Sequence, residues 1–378
     1  MLLKKFLVFA VIFSFVFLAF QIPAEGIEVS AASAIVMSAD SGEIFFEKDA
    51  HKKRSMASTT KIMTAVIALE SDKTEDVVKV NSKMVAVEGT SMGLKSGDRI
   101  TLENLIKGMM LLSGNDSANA IALYLAGSVE NFAEMMNEKA KKIGMNETNF
   151  VTPSGLDDEE HYTTAYDMAL LTSYAMKNPD FRDIVSLSKG QVEYISPYAI
   201  YTYYNHNKFL SMYEGACGVK TGFTKKSGRC LVTAVEKDGN RLICVTLNAG
   251  DDWNDHKKLY DYCFSTGQFS QPPDTFNTLI PVTGGYKSEI IAHAEYIPNI
   301  FISSDSRIYT KICTDKFLYA PVTKGDQVGS VKFYRDGVLV KETPLIANES
   351  TQIKEYTQKR KNKLFNFFYE IFKKLSGD

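Results

Sequence analysis

Between Ala57 and Glu70 the chain reads ASTTKIMTAVIALE, and from Thr59 onward this stretch is apolar nearly all round. A helix without a polar face must be enclosed by other elements, so the chain has to build a domain large enough to surround it. Lys61 stands inside the run, one helical turn after Ser58. An ammonium ion walled in by apolar residues is costly unless it finds partners or gives up its proton. With 378 residues there is room for such a domain and for a second one.

The rest of the pattern supplies the enclosure. From Ala34 to Phe46 two short strands flank the turn ADSGE. A helix opens at Thr101, a good N-cap, with Leu102, Leu105, Ile106 and Met109 on one face. The patterns ANAIALYLAG and VENFAEMMNEKAKKIG follow, the last ending at Gly144 with lysines in its final turn. After Gly215 the period changes to that of strands, with small or branched apolar residues alternating with polar ones and Asp238-Gly239 as a hairpin turn. NDHKKLYDYCFSTG then reads as a helix stopped by Gly267.

Strands at both ends with helices between predict an α+β domain, one antiparallel sheet covered by helices. SQPPDTFN (270–277) reads as a linker, and Thr278 to Ala347 as short strands with turns at Gly284-Gly285 and Asp336-Gly337, hence a small all-β domain. The expected division is 1–31 signal peptide, 32–274 main domain, 275–348 β-rich domain and 349–378 amphipathic tail.

Both ends carry their own signals. Two lysines, an apolar run from Phe6 to Phe20 and a small-residue stretch ending at Ala31 have the three-part form of a secretory signal, with cleavage expected after Ala31. At the other end Leu364, Phe368, Ile371 and Leu375 fall at helical spacing, flanked by Phe365, Phe367 and Phe372, with lysines opposite. Residues 353–378 carry a net +4 and leave −6 for the remainder. This basic amphipathic segment is too short to span a bilayer and suits a helix lying in an anionic membrane surface. The net charge of −2 argues against nucleic acid as a partner. Five cysteines (Cys217, Cys230, Cys244, Cys263, Cys313) lack metal or redox spacing, so no metal, cofactor or disulfide framework is expected.

The chemistry begins with Ser58 and Lys61. Positions i and i+3 share a helix face, and burial lowers a lysine pKa until the neutral amine can take the serine proton. Alone, S-x-x-K is a weak motif. LLSGND adds Ser113 and Asn115 in an interhelical loop, and GVKTGFT adds Lys220, Thr221, Gly222 and Phe223 on a strand. S-x-x-K, S-x-N and K-T-G in this order are the set of penicillin-binding proteins and class A β-lactamases.

From about Ala34 to the C-terminus the chain resembles the low-molecular-mass penicillin-binding proteins, the serine-type D-alanyl-D-alanine carboxypeptidases. The resemblance implies a β-lactamase/transpeptidase-like fold and an exported enzyme at the outer face of the cytoplasmic membrane or cell wall. It implies the peptidoglycan stem peptide as substrate and β-lactams as acylating inhibitors. Ser58 would attack the penultimate D-Ala carbonyl, Lys61 act as base, Ser113 relay the proton, Lys220 supply positive charge and Asn115 hold the substrate amide. Thr221, with Gly222 on the same strand, would bind the terminal carboxylate, and the N–H groups of Ser58 and Phe223 would form the oxyanion hole. One departure stands out: where family members often have N-R-N, this chain has YNHNKFL with His206, and a histidine cannot reproduce the two parallel hydrogen bonds of an arginine.

Two rival readings lack the features they need. A class A β-lactamase needs E-x-x-L-N downstream of the second motif; the region from Asn149 has no such pattern, only Glu159 and Glu160 in an acidic run. A non-catalytic penicillin sensor would continue into a transmembrane signalling element, and nothing of that kind follows Ala347.

Overall fold

A computed structural model of the chain describes residues 27–270, 277–298, 300–303, 306–355 and 362–375. It begins with the expected hairpin, β1 (Ser33–Ser38) and β2 (Ile44–Lys48). A 3-10 turn over Ala57–Thr60 runs directly into α1 (Lys61–Leu69), which is buried from Lys61 to Ala68. Short strands β3 (Val77–Lys79) and β4 (Arg99–Thr101) bracket α2 (Ser82–Val85). Next comes α3 (Leu102–Leu112), where the Thr101 hydroxyl accepts from the Asn104 N–H at 3.2 Å, the cap its position predicts.

The helical layer continues with α4 (Asn115–Ala126) and with α5 (Val129–Ile143), which ends at left-handed Gly144. It closes with α6 (Ala165–Ala175) and α7 (Pro179–Ser186). Strands β5 (Lys189–Ser196) and β6 (Tyr198–Tyr204) complete a side sheet of order β3-β4-β5-β6. The short α8 (Phe209–Met212) leads to β7 (Ala216–Thr224), β8 (Gly228–Lys237), β9 (Asn240–Ala249) and α9 (Asp252–Thr266).

The main sheet has the order β2-β1-β9-β8-β7, antiparallel throughout. Its central strands are buried on both faces. Ile35, Met37, Ile243 and Val245 pack into the core around α1, whereas Ala34, Val36, Leu242 and Cys244 pack against Leu259, Tyr260 and Cys263 of α9. The apolar-to-polar alternation expected after Gly215 therefore gives way to two apolar faces: period two separates one core from another, not core from water. Asp238 and Gly239, both at positive φ, make the β8–β9 turn.

Beyond α9, β10 (Gly267–Ser270), β11 (Asn277–Thr283), β12 (Glu289–Ala294), β13 (Ile300–Ser303) and β14 (Ile308–Thr314) open the β-rich part. The two-residue β15 (Leu318–Tyr319), β16 (Gln327–Arg335) and β17 (Val338–Ala347) complete it. The expected linker falls between β10 and β11, and its residues 271–276 lie outside the described ones. A six-stranded sheet runs β14-β16-β17-β12-β11-β15 over its own apolar core, while β13 returns to pair with β10. The hairpin tip of β16 and β17 rests on the first domain: Arg335 Nη1 meets the buried Glu43 carboxylate at 2.6 Å, and Lys341 Nζ reaches Asp40 at 2.6 Å.

The expected signal peptide lies mostly outside the described residues, which begin at Ile27. Its last residues belong to the fold. Asp255 accepts from the Ser30 and Ala31 N–H groups at 2.9 Å each and from the Ser30 hydroxyl at 2.7 Å, and Val29 and Ala31 are buried. The tail forms α10 (Asn362–Leu375), on which Phe367, Phe368, Ile371, Phe372 and Leu375 are exposed; the side chains of Leu364 and Phe365 lie outside the described ones. Among the described residues no helix is long and apolar enough to cross a membrane.

Candidate active site

Ser58 sits in the 3-10 turn that starts α1, so its side chain lies over Lys61 one turn on. The turn is held open in an uncommon shape, with Ala57 at φ 47. Gly155 accommodates it, since a Cβ there would stand 1.9 Å from the Ala57 carbonyl oxygen. Buried His161 braces the same turn: its Nδ1 accepts from the Val151 N–H at 2.9 Å, so its Nε2 carries the hydrogen toward the Thr60 hydroxyl at 2.8 Å. Thr60 in turn donates to the Ala57 carbonyl at 2.8 Å. Burial lowers the His161 pKa to about 4, which keeps the ring neutral in this role.

Lys61 is fully buried, and its Nζ has three neighbours: Ser58 Oγ at 2.8 Å, Asn115 Oδ1 at 2.8 Å and the Ser154 carbonyl at 2.6 Å. A neutral amine has two N–H bonds and one lone pair. The two carbonyl-type oxygens can only accept, so the lone pair is left to face the Ser58 hydroxyl. Burial pushes the Lys61 pKa well below its ordinary value, and the charge on Lys220 pushes in the same direction.

Ser113 ends α3 in a left-handed conformation at φ 61, while Asn115 is the first residue of α4 and so lies in the helix rather than in the expected loop. This corner is fixed by Asp116, a buried carboxylate that accepts from Ser91 Oγ at 2.6 Å and from the N–H groups of Met92, Gly93 and Leu94 at 2.9–3.1 Å. Asn115 Nδ2 donates to the Glu88 carbonyl at 2.7 Å. Both ends of the Asn115 amide are thus engaged within the protein. Its Oδ1 helps to aim Lys61, and Nδ2 keeps a second N–H beyond the one given to Glu88, in line with the expected role of holding the substrate amide.

Lys220 closes the constellation from β7. Its buried Nζ donates to Ser113 Oγ at 3.0 Å and to the Thr221 carbonyl at 2.8 Å, and burial lowers its pKa to about 7. As the last strand of the main sheet, β7 has one edge without a strand partner among the described residues, and it runs past the 3-10 turn. A Cβ at Gly222 would stand 3.0 Å from the Ser58 nitrogen and 3.1 Å from the Thr59 nitrogen, so only glycine lets the strand lie this close. The structure therefore brings Ser58, Lys61, Ser113, Asn115, Lys220, Thr221, Gly222 and Phe223 to one place.

Around them opens a cleft of ≈ 270 Å³ lined by Ser58, Thr90, Ser113, His206, Thr221, Gly222, Phe223, Arg229, Asp252 and Trp253. A larger hollow of ≈ 900 Å³ beside Phe264 contains Lys237 and Ser265, but both are exposed, and nothing there would strip an amine of its proton. Thr90, Arg229, Asp252 and Trp253 were missed in the sequence. Arg229 stands directly opposite Phe223 in the β7–β8 register. Its Nε and Nη2 both contact Asp252 Oδ1, at 2.8 and 2.7 Å, and the guanidinium lies 5.9 Å from the Trp253 ring. The hairpin spacing around KKSG held the signal, since it sets Arg229 beside the K-T-G strand.

Comparisons with known proteins agree on one family. A family model described as D-alanyl-D-alanine carboxypeptidase matches residues 20–251, and one described as penicillin-binding protein 5, C-terminal domain, matches residues 283–352. The D-alanyl-D-alanine carboxypeptidase DacC of Escherichia coli is 34% identical over 350 residues, 87% of this chain and 86% of its own. DacF of Bacillus subtilis, of the same description, is 28% identical over 336 residues, 84% of this chain and 85% of its own. Among solved structures, a peptidoglycan synthesis regulatory factor (PBP3) from Streptococcus pneumoniae is alike in fold, with a TM-score of 0.75 over 86% of this chain and all of that one, at 23% identity.

Proposed function

Because the chain belongs to the D-alanyl-D-alanine carboxypeptidase family, whose members are serine hydrolases, we propose that Ser58 is its nucleophile and Lys61 the base that activates it. The observation that carries this is the hydrogen-bond geometry of Lys61, which leaves a single lone pair and aims it at the Ser58 hydroxyl. Ser58 Oγ attacks the penultimate D-Ala carbonyl of a peptidoglycan stem peptide as its proton passes to Lys61 Nζ. The oxyanion lies against the N–H groups of Ser58 and Phe223, on the β7 edge that Gly222 keeps close.

The peptide C–N bond then breaks: Ser113 gives its proton to the departing D-Ala nitrogen and takes up the one that Lys61 received from Ser58, which leaves Lys61 neutral, while Lys220 supplies positive charge beside Ser113. Water attacks the resulting ester with Lys61 again as base, releasing the shortened peptide and restoring Ser58. A β-lactam acylates the same hydroxyl. For the terminal carboxylate we assign Thr221 and, in place of the arginine that His206 replaces, Arg229. Burial and Lys220 lower the His206 pKa, so His206 is a poor cation at neutral pH, whereas a guanidinium keeps its charge.

The loop facing Lys61 offers the Ser154 carbonyl and no carboxylate, while Glu159 and Glu160 are exposed. That supports a carboxypeptidase over a glutamate-assisted β-lactamase. Mass spectrometry of a muropeptide ending in D-Ala-D-Ala tests the reading. Loss of one alanine with the wild type, but not with Ser58→Ala or Lys61→Ala, is the expected result; turnover by Ser58→Ala refutes it.

The substrate places the catalytic body outside the cytoplasm. We further infer export by a signal segment cleaved ahead of Val29, since cleavage after Ala31 would strip Asp255 of its partners. We keep the domains at 32–274 and 275–348 as read from the sequence, with residues 29–31 joined to the first. We assign α10 to the membrane surface, supported by the exposure of its phenylalanines and by the lysines Lys373 and Lys374 in its last turn.

A further inference from the structure

The six-stranded sheet meets different surroundings at its two ends. At one, Arg335 and Lys341 beside the Asp336-Gly337 turn hold the first domain through Glu43 and Asp40. The nine residues of β16 carry the sheet about 30 Å away from that contact. At the far end three segments are bound to one another. Val282 and Thr283 pair with Leu318 and Tyr319, the Tyr286 N–H donates to the Gln352 carbonyl at 3.1 Å, and the Lys354 N–H donates to the Gly284 carbonyl at 2.7 Å. On these segments Tyr286 (68% exposed), Phe317, Tyr319 (71%) and Ile353 stand in water. The rings of Phe317 and Tyr319 meet edge to face at 5.2 Å.

A cluster of large apolar side chains at one tip needs a partner. Where the chain goes next indicates which. The third of these segments is the one that leads into α10, and the stretch from Glu355 to Asn362 can span at most about 25 Å even when fully extended. If α10 lies in a bilayer surface, the tip is held within that distance of it. Two tyrosines and a phenylalanine, apolar bodies with polar edges, are the residue types that settle at the boundary between headgroups and acyl chains.

We propose that Tyr286, Phe317, Tyr319 and Ile353 form a second membrane contact, entering the interfacial layer beside α10 so that the body stands on two points instead of swinging from one. This rests on the reading of α10 as an interfacial helix. The probe is a vesicle of equal parts phosphatidylglycerol and phosphatidylcholine with acyl chains brominated near the carbonyl end. The chain has one tryptophan, Trp253, in the cleft of the first domain, and it provides the baseline.

In full-length Tyr319→Trp the added emission is expected to shift to the blue and be quenched by the brominated lipid, while wild-type emission is unchanged. Replacing all four residues by serine is expected to weaken vesicle binding at least about tenfold with α10 intact. Protein that pellets with vesicles while its added tryptophan stays unquenched overturns the tip contact and leaves the α10 reading standing. Protein that does not pellet overturns both.

Discussion

Arg229→Gln tests how the cleft reads a carboxylate. Of the cations lining the cleft or its floor, Lys220 has its pKa lowered to about 7 by burial, and His206 is pushed toward its neutral form. Arg229 keeps its charge, and Asp252 holds one side of its fork while Trp253 lies nearby. A charge-assisted hydrogen bond at such a partly exposed position contributes about 2 kcal/mol, or roughly thirtyfold in kcat/KM.

The assay compares D-alanine release from a peptide ending in D-Ala-D-Ala with release of D-alaninamide from its C-terminal amide. Wild type should prefer the acid by about that factor, and Arg229→Gln should lose the preference by slowing on the acid alone. Asp252 is buried and would be left unpaired, so Arg229→Gln/Asp252→Asn serves as the variant that keeps a neutral pair, and Arg229→Lys should restore part of the preference. An undiminished acid-to-amide ratio in both glutamine variants refutes the assignment and returns the carboxylate to Thr221 and Lys220.

The pH dependence of penicillin acylation should rise as Lys61 loses its proton, and because the charge on Lys220 helps depress that pKa, Lys220→Gln should move the rising limb to higher pH; a limb that stays put or moves down contradicts the coupling. Gly222→Ala places a methyl group 3.0 Å from the Ser58 backbone nitrogen, closer than an ordinary contact, and acylation should slow by about 10- to 100-fold as the strand shifts off Ser58; an unchanged second-order rate constant would show that close approach is not needed. His161 and His256 have folded pKa values lowered to about 4 and about 3. The unfolded chain therefore binds more protons below pH 6.5, and stability should fall as pH drops from 6.5, by roughly 3 kcal/mol at pH 4 for His161 alone. Urea midpoints measured across that range should fall less steeply in His161→Gln, and an identical slope would exclude the histidine. Finally, N-terminal sequencing of the exported protein should find a start ahead of Val29, whose carbonyl accepts from Lys48 at 2.9 Å; a start at Ala32 would contradict it.

The buried helix, the Ser58–Lys61 pair, the Thr101 cap, the Gly144 stop and the Asp238-Gly239 turn were all legible in the sequence, because each is a matter of neighbours within a few residues. The order of the three motifs was legible too, and with it the family. The two apolar faces of the main sheet were not, since alternation along a strand looks much the same whether the second face meets water or α9.

Nor could local pattern reveal what makes Lys61 a base. Its acceptors lie 54 and 93 residues away, at Asn115 and Ser154, and its burial depends on a core drawn from most of the first domain. Asp116 looked like one more turn residue until the N–H groups of Met92, Gly93 and Leu94 closed on it. Arg229 became a candidate only when the β7–β8 register set it opposite Phe223. Sequence alone determined which chemical groups the chain carries and their spacing along it. Their protonation and aim were decided by tertiary structure, because desolvation and hydrogen-bond direction depend on everything packed around a group and not on its neighbours in the chain.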